Sequence, residues 1–263
     1  MADSEVPDRR AMARQARQRL DSLRAAGIEW LPAPPATGNV ERNEPAMAST
    51  SAGGNTGLLF EVAPAGPAPA PAEQRRQALE MLAGSIANCP RCAELLSTRT
   101  QTVFGVGRVD PEICFVGEAP GADEDAQGEP FVGAAGQLLN RIIIACGMKR
   151  EEVYICNIIK CRPPGNRTPL PNEAANCREY LEKQLELVRP KFICALGACA
   201  AQNLLGTTLS VGRLRGQFHD YRGIPVLCTY HPAYLLRSPD KKREVWEDMK
   251  KLLEQLGRPI LAK

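Results

Sequence analysis

Short apolar runs, each stopping at glycine or at a polar residue, punctuate the chain after its first hundred residues. Residues 113–116 stop at Gly117, 153–158 carry Asn157 near their end, 192–196 stop at Gly197, and 226–230 stop at His231-Pro232. Runs of this length bounded by turn residues read as buried strands. Between them lie stretches of helical spacing: 136–146, a helix capped by Asn172 and running to about 188, a short helix to 205, and 240–256. Another helix is expected from 73 to 87, and residues 216–221 read as an edge strand. Strands alternating with helices predict a mainly parallel sheet with helices on both faces. Right-handed crossovers then bring the ends at 117, 157, 197 and 231 to one rim. Ligands of open α/β sheets bind at that rim.

The first seventy residues have a different pattern. Residues 8–26 are rich in Arg and Ala with Leu20 and Leu23 on one side, which predicts a basic helix ending at Gly27. Residues 32–72 are rich in Pro, Ala, Gly and Ser and lack the apolar content to offset the entropy of ordering. The expected organisation is a basic helical segment at 1–31, a linker at 32–72 and a folded domain at 73–263. The basic segment reads as a solvated helix, or as a docking place for DNA or a protein partner.

Composition adds little that changes this picture. The chain is 44% hydrophobic and 24% charged, which suits a folded core. A net charge of +3 permits a nucleic-acid partner without arguing for one. No apolar run approaches the ~18 residues of a membrane span, and the polar, arginine-rich start has no apolar signal region. Several of the ten cysteines (Cys114, Cys156, Cys194, Cys228) lie inside strand-like runs, where small hydrophobes belong. A reducing cytoplasm and a monomeric protein are expected.

The candidate chemistry gathers at the rim. The loop after residue 116 carries glycines, prolines, five carboxylates and Phe131. By composition alone it is an acidic surface loop. Asn157 puts an amide, both donor and acceptor, at a strand end; that suits the edge of a nucleobase. His231 precedes Pro232, which fixes the chain just after the imidazole. Phe131 is placed to stack on a planar ligand or to pack in the core. Cys89-x-x-Cys92, Cys161 and Cys177 have a case as metal ligands. Four thiolates suit zinc or an iron–sulfur cluster, and spacing does not choose between them.

Taken in order, GEAPGADED at 117–125, PFVG at 130–133, NIIKCRPPGNR at 157–167 and HPAYLLR at 231–237 resemble the motifs of the family 4 uracil-DNA glycosylases. The resemblance covers roughly residues 80–256. It implies a three-layer α/β/α sandwich with a four-stranded, mainly parallel sheet, removal of uracil from DNA, and a 4Fe–4S cluster on Cys89, Cys92, Cys161 and Cys177. Carried over, Phe131 would stack on the flipped uracil and Asn157 would read its edge. His231 would donate a hydrogen bond to the departing base, and Gly117 and Ala119 would approach it closely. One departure stands out: relatives in the broader superfamily carry a water-activating Asp where this chain has Ala119. Glu118 is the expected substitute, with Asp123, Glu124 and Asp125 as alternatives; Glu124 is also a candidate for excluding the thymine methyl. Leu235 and Leu236 are candidates to fill the gap left by the flipped base. Arg162, Arg167, Arg237, Lys241, Lys242 and Arg243 are candidates for phosphate contact. Competing expectations are a uracil-DNA-binding protein without turnover, whose branch has Gln at the place of Ala119, and a metal-stabilised DNA-binding module.

Overall fold

The computed structural model describes residues 70–260. The expected basic helix and nearly all of the expected linker lie outside the described residues. The strands are β1 (Val106–Gly107), β2 (Ile113–Gly117), β3 (Tyr154–Asn157), β4 (Phe192–Leu196), β5 (Phe218–Tyr221) and β6 (Ile224–Thr229). The helices are α1 (Ala72–Ala87), α2 (Ala93–Thr98), α3 (Ala122–Gln127), α4 (Ala134–Ala145), α5 (Pro171–Val188), α6 (Gly197–Leu205), α7 (Val211–Leu214), α8 (Pro232–Arg237) and α9 (Lys242–Gln255).

One sheet has the order β1-β3-β2-β4-β6-β5. Its four inner strands are parallel, as the alternation of strand and helix predicts. The expected four-stranded sheet is therefore the centre of a six-stranded one, flanked by antiparallel β1 and β5. β5 matches the expected edge strand. β1 carries no apolar run; its two residues are strand only because they pair with Tyr154 and Ile155.

The period of two along each strand builds the layers. Val116, Cys156, Ala195 and Cys228 face Leu181 and Leu185 of α5 and Ala200 and Leu204 of α6. Phe115, Ile155, Cys194 and Leu227 face Leu139 and Ile143 of α4 and Met249 and Leu252 of α9. Burying each large apolar side chain contributes about 1.5–3 kcal/mol, so both faces of the sheet are closed by core and only its rims remain for chemistry. Helix α5 starts earlier than expected. Pro171 holds the first helical position, and Glu173 reaches back to accept the Leu170 N–H at 2.7 Å, so Asn172 is not the cap. No disulfide joins any of the ten cysteines. No helix among the described residues is long and apolar enough to cross a membrane.

Candidate functional site

Parallel pairing sets Gly117 at the end of β2 beside Asn157 at the end of β3. A methyl group on Gly117 would overlap both Asn157 Oδ1 and the Phe131 ring. Only glycine lets strand, amide and ring converge here. His231 follows β6 as the N-cap of α8, with Pro232 at the first helical position. Gly197, at φ +89°, passes beneath it, and a Cβ there would stand 3.0 Å from the His231 Cβ. The Phe131 and His231 rings lie 5.5 Å apart between centroids and tilted by 33°. Phe131, Asn157 and His231, together with Glu118, Ala119, Asn166 and Thr168, line a cleft of about 390 Å³. A larger groove of about 750 Å³ runs between α1 and β1, away from the strand ends. The smaller cleft is the candidate site because it contains the one buried side-chain polar atom without a partner among the described residues, Asn157 Oδ1. An orphaned buried acceptor is costly and needs an explanation; a ligand that donates to it is one.

The electrostatics are specific. Burial pushes His231 down to about 4, the Arg237 charge adds to this and Glu124 opposes it, so the imidazole is neutral at ordinary pH. The Ala233 N–H donates to Nδ1 at 3.1 Å. A neutral ring that accepts at Nδ1 carries its proton on Nε2. Burial raises Glu118 above the usual carboxylate range, against the stabilising hydroxyl of Thr168. A cleft carboxyl with a raised pKa holds a proton more readily than an ordinary carboxylate and is suited to general-base work.

The loop from 117 to 133 is an ordered frame rather than an acidic surface loop, and it contains α3. Glu124 accepts from the Gly121, Val132 and Gly133 N–H groups at 3.0–3.1 Å, so its carboxylate ties the loop to itself. Asp125 is buried and accepts from the Thr100 N–H. Asp123 is exposed. Among the alternatives to Glu118, only Glu124 touches the cleft, and both its oxygens are engaged.

Other expected groups separate similarly. Leu235 is a core residue, 1% exposed, whereas Leu236 is 43% exposed and stays available as a wedge. Arg167 pairs with Glu173 and Glu94, and Arg162 donates to Asn166 Oδ1 at 2.8 Å. Arg237 lines the cleft. Asn166, at φ 54°, lines it too. The sequence pattern does not single out this residue, although a polar amide after Gly165 is suited to that backbone region. Lys160 is equally silent in the pattern. It is fully buried and donates to the Asn157 carbonyl at 2.9 Å and to Gln184 Oε1 at 2.5 Å, bracing the end of β3.

Cys89, Cys92, Cys161 and Cys177 line one small cavity beside that braced strand end. Arg99 donates to Cys161 Sγ at 2.9 Å, Asn176 to Cys92 Sγ at 3.4 Å and Tyr180 to Cys89 Sγ at 3.5 Å. Burial pushes the Cys161 thiol up to about 11 against the lowering effect of Arg99, and raises Cys177 as well. Among the described residues no three Cys, His, Asp or Glu side chains are close enough together to hold a single metal ion.

Gly117→Ala tests the convergence at the strand end. The added methyl must displace the Asn157 amide or the Phe131 ring, at a cost of about 1–3 kcal/mol for overpacking. The expected result is loss of ligand recognition with the fold retained, read by circular dichroism beside the activity assay proposed below.

Residues 104–250 match the family model of the Uracil DNA glycosylase superfamily. The chain is 43% identical over 192 residues to a type-4 uracil-DNA glycosylase of Archaeoglobus fulgidus, covering 69% of this chain and 95% of that protein. It is 44% identical over 181 residues to a type-4 uracil-DNA glycosylase of Thermotoga maritima, covering 67% and 94%. Similarity to a type-5 uracil-DNA glycosylase of Pyrobaculum aerophilum is lower, 30% over 183 residues.

Proposed function

Since the chain belongs to the type-4 branch of the Uracil DNA glycosylase superfamily, we propose that it excises uracil from DNA by hydrolysing the N-glycosidic bond, leaving an abasic site for base-excision repair. The observation that carries the reading is the unpartnered Asn157 Oδ1, in a cleft it shares with the Phe131 ring and the neutral His231 imidazole. Uracil presents N3–H as donor and O4 as acceptor, which matches the amide of Asn157. Cytosine reverses that polarity and leaves Oδ1 facing an acceptor.

The base must leave the stack to be reached. Phe131 stacks on the flipped ring, and the backbone at Gly117 and Ala119 closes against it. As the glycosidic bond breaks, its electron pair departs with uracil and positive charge develops on the sugar. His231 Nε2–H donates to the uracil oxygen where negative charge grows, which is oxyanion-type stabilisation. Ala119 has no group to activate water. Glu118 takes that part: the water's hydroxyl bonds to C1′, and its proton passes to the carboxylate.

Four thiols that line one cavity are a donor set that fits an iron–sulfur cluster, and the resemblance to the type-4 family favours the cluster over zinc. Cys89, Cys92, Cys161 and Cys177 would hold a 4Fe–4S cluster. When bound, it would tie together the segment between α1 and α2, the loop after β3, and α5. The three side-chain donors to sulfur are of the kind that tune such centres. Free thiols packed in the strands support a reducing cytoplasmic setting, with the monomer acting on DNA and residues 1–31 serving a protein partner.

The test is abasic-site formation on a single-stranded uracil oligonucleotide, read by alkaline strand cleavage with cluster-loaded protein. Product over multiple turnovers supports the reading; none sinks it. In the same assay Glu118→Gln is expected to slow single-turnover release. The wild-type rate should rise with pH through the raised Glu118 pKa, because the base must be ionised, and that acid limb should vanish in the variant. A wild-type rate in Glu118→Gln would remove Glu118 from the mechanism.

A further inference from the structure

We propose that Arg150 is a positioning residue for Phe131, forming with Glu124 a two-sided clamp that sets the aromatic ring for stacking before DNA arrives. The inference rests on the stacking role given to Phe131 above. Phe131 has φ 55°. A bulky side chain seldom adopts the left-handed region, and such residues persist only where the surroundings over-determine them.

The surroundings here come from three separate parts of the chain. Arg150 opens the single 3₁₀ turn Arg150–Glu152 just before β3. Its Nη2 donates to the Pro130 carbonyl at 2.5 Å and its Nη1 to the Phe131 carbonyl at 3.3 Å. Nη1 also donates to Asn140 Oδ1 on α4 at 2.9 Å, which fixes the plane of the guanidinium. On the other side Glu124 Oε1 accepts from the Val132 and Gly133 N–H groups. Two successive carbonyls are thus held by a cation and the next two amides by an anion. The chain between them has no freedom to relax from φ 55° without breaking charge-assisted bonds. Gly136 leaves the needed room, since a Cβ there would overlap the Phe131 carbonyl. Arg150 does not line the cleft, so any effect it has on uracil passes through the backbone of Phe131. Lysine, a single point donor, cannot reproduce the fork.

A double-mutant cycle separates this role from general stabilisation. Excision of uracil from single-stranded DNA is measured for the wild type, Arg150→Met, Phe131→Ala and the double variant. Arg150→Met should lower kcat/KM about 10–100-fold, the range expected when a positioned group drifts by about 1 Å. Most of the loss should appear in KM. With Phe131→Ala already present, the same change should cost less than about threefold, because residues acting through one another are not additive. Arg150→Lys should fall between wild type and Arg150→Met. An equal loss in both backgrounds, or no loss in either, overturns the clamp. If Arg150→Met does not fold, Asn140→Ala, which frees the guanidinium, replaces it under the same criterion with a smaller expected loss. A wild-type rate for Phe131→Ala alone would instead overturn the stacking role, and with it the premise of the clamp, while leaving uracil excision itself in place.

Discussion

His231→Ala is expected to slow single-turnover uracil release about 100–1,000-fold, the usual cost of removing one hydrogen-bond donor from a developing negative charge. The size of the effect follows from the state of the ring. Burial holds His231 at about 4, and the Ala233 N–H occupies Nδ1, so a neutral ring presents Nε2–H to the cleft across the working pH range. The rate should therefore show no limb near 6.5 that belongs to His231. A limb that falls as pH rises through 6.5 and disappears in His231→Ala would mean that the imidazolium is the active form. Stability has the opposite and separable sign. The folded value lies below the ordinary 6.5, so the folded protein binds fewer protons in that window. The contribution of the neutral ring is present above 6.5 and is lost as pH falls towards 4. Alanine also removes the acceptor for the first turn of α8, at about 1 kcal/mol for a lost cap. His231→Asn restores a cap acceptor without putting a donor at the place of Nε2. It should recover the melting temperature and leave the rate low.

The sequence made the parallel core legible because the four inner strands are buried on both faces and appear as unbroken apolar runs. It also made the rim legible, since Gly117, Asn157 and His231 each break such a run where it ends. β1 was not legible: Val106–Gly107 has no pattern of its own and is defined by its partner strand. The loop from 117 to 133 looks like solvated surface by composition because charge count does not reveal where a carboxylate points. Glu124 and Asp125 are turned onto backbone amides, and only the fold brings the Val132 and Gly133 N–H groups to Glu124. Arg150 and Lys160 were silent for the same reason. A lone cation in a charged turn, or beside a cysteine, looks like a solvated residue until its carbonyl partners are known. The site motifs survive in sequence as local strings, whereas the groups that aim them come from distant segments and leave no spacing to read.

Asn157→Ala is the change for which activity and stability should part most clearly. The amide is 2% exposed, and its Oδ1 has no partner in the folded protein. Leaving a buried acceptor unsatisfied costs about 1–3 kcal/mol. Its removal returns that cost, and the small void left behind takes back a comparable amount, at about 24 cal/mol per Å³ of cavity. The melting temperature should therefore stay near that of the wild type, although a buried polar residue at the end of a central strand has been deleted. Uracil excision should fall by about 100-fold or more, because a site built to hydrogen-bond its substrate loses its discriminating contact rather than mere area. Uracil's advantage over cytosine should shrink with it. Thermal unfolding and single-turnover excision on paired uracil and cytosine oligonucleotides check the two halves together. A large drop in melting temperature with activity preserved would make Asn157 a structural residue, its free acceptor a tolerated defect of the strand end. The expected combination, an intact fold with recognition gone, would mean that the folded protein bears an unpaired group whose partner arrives only with the base.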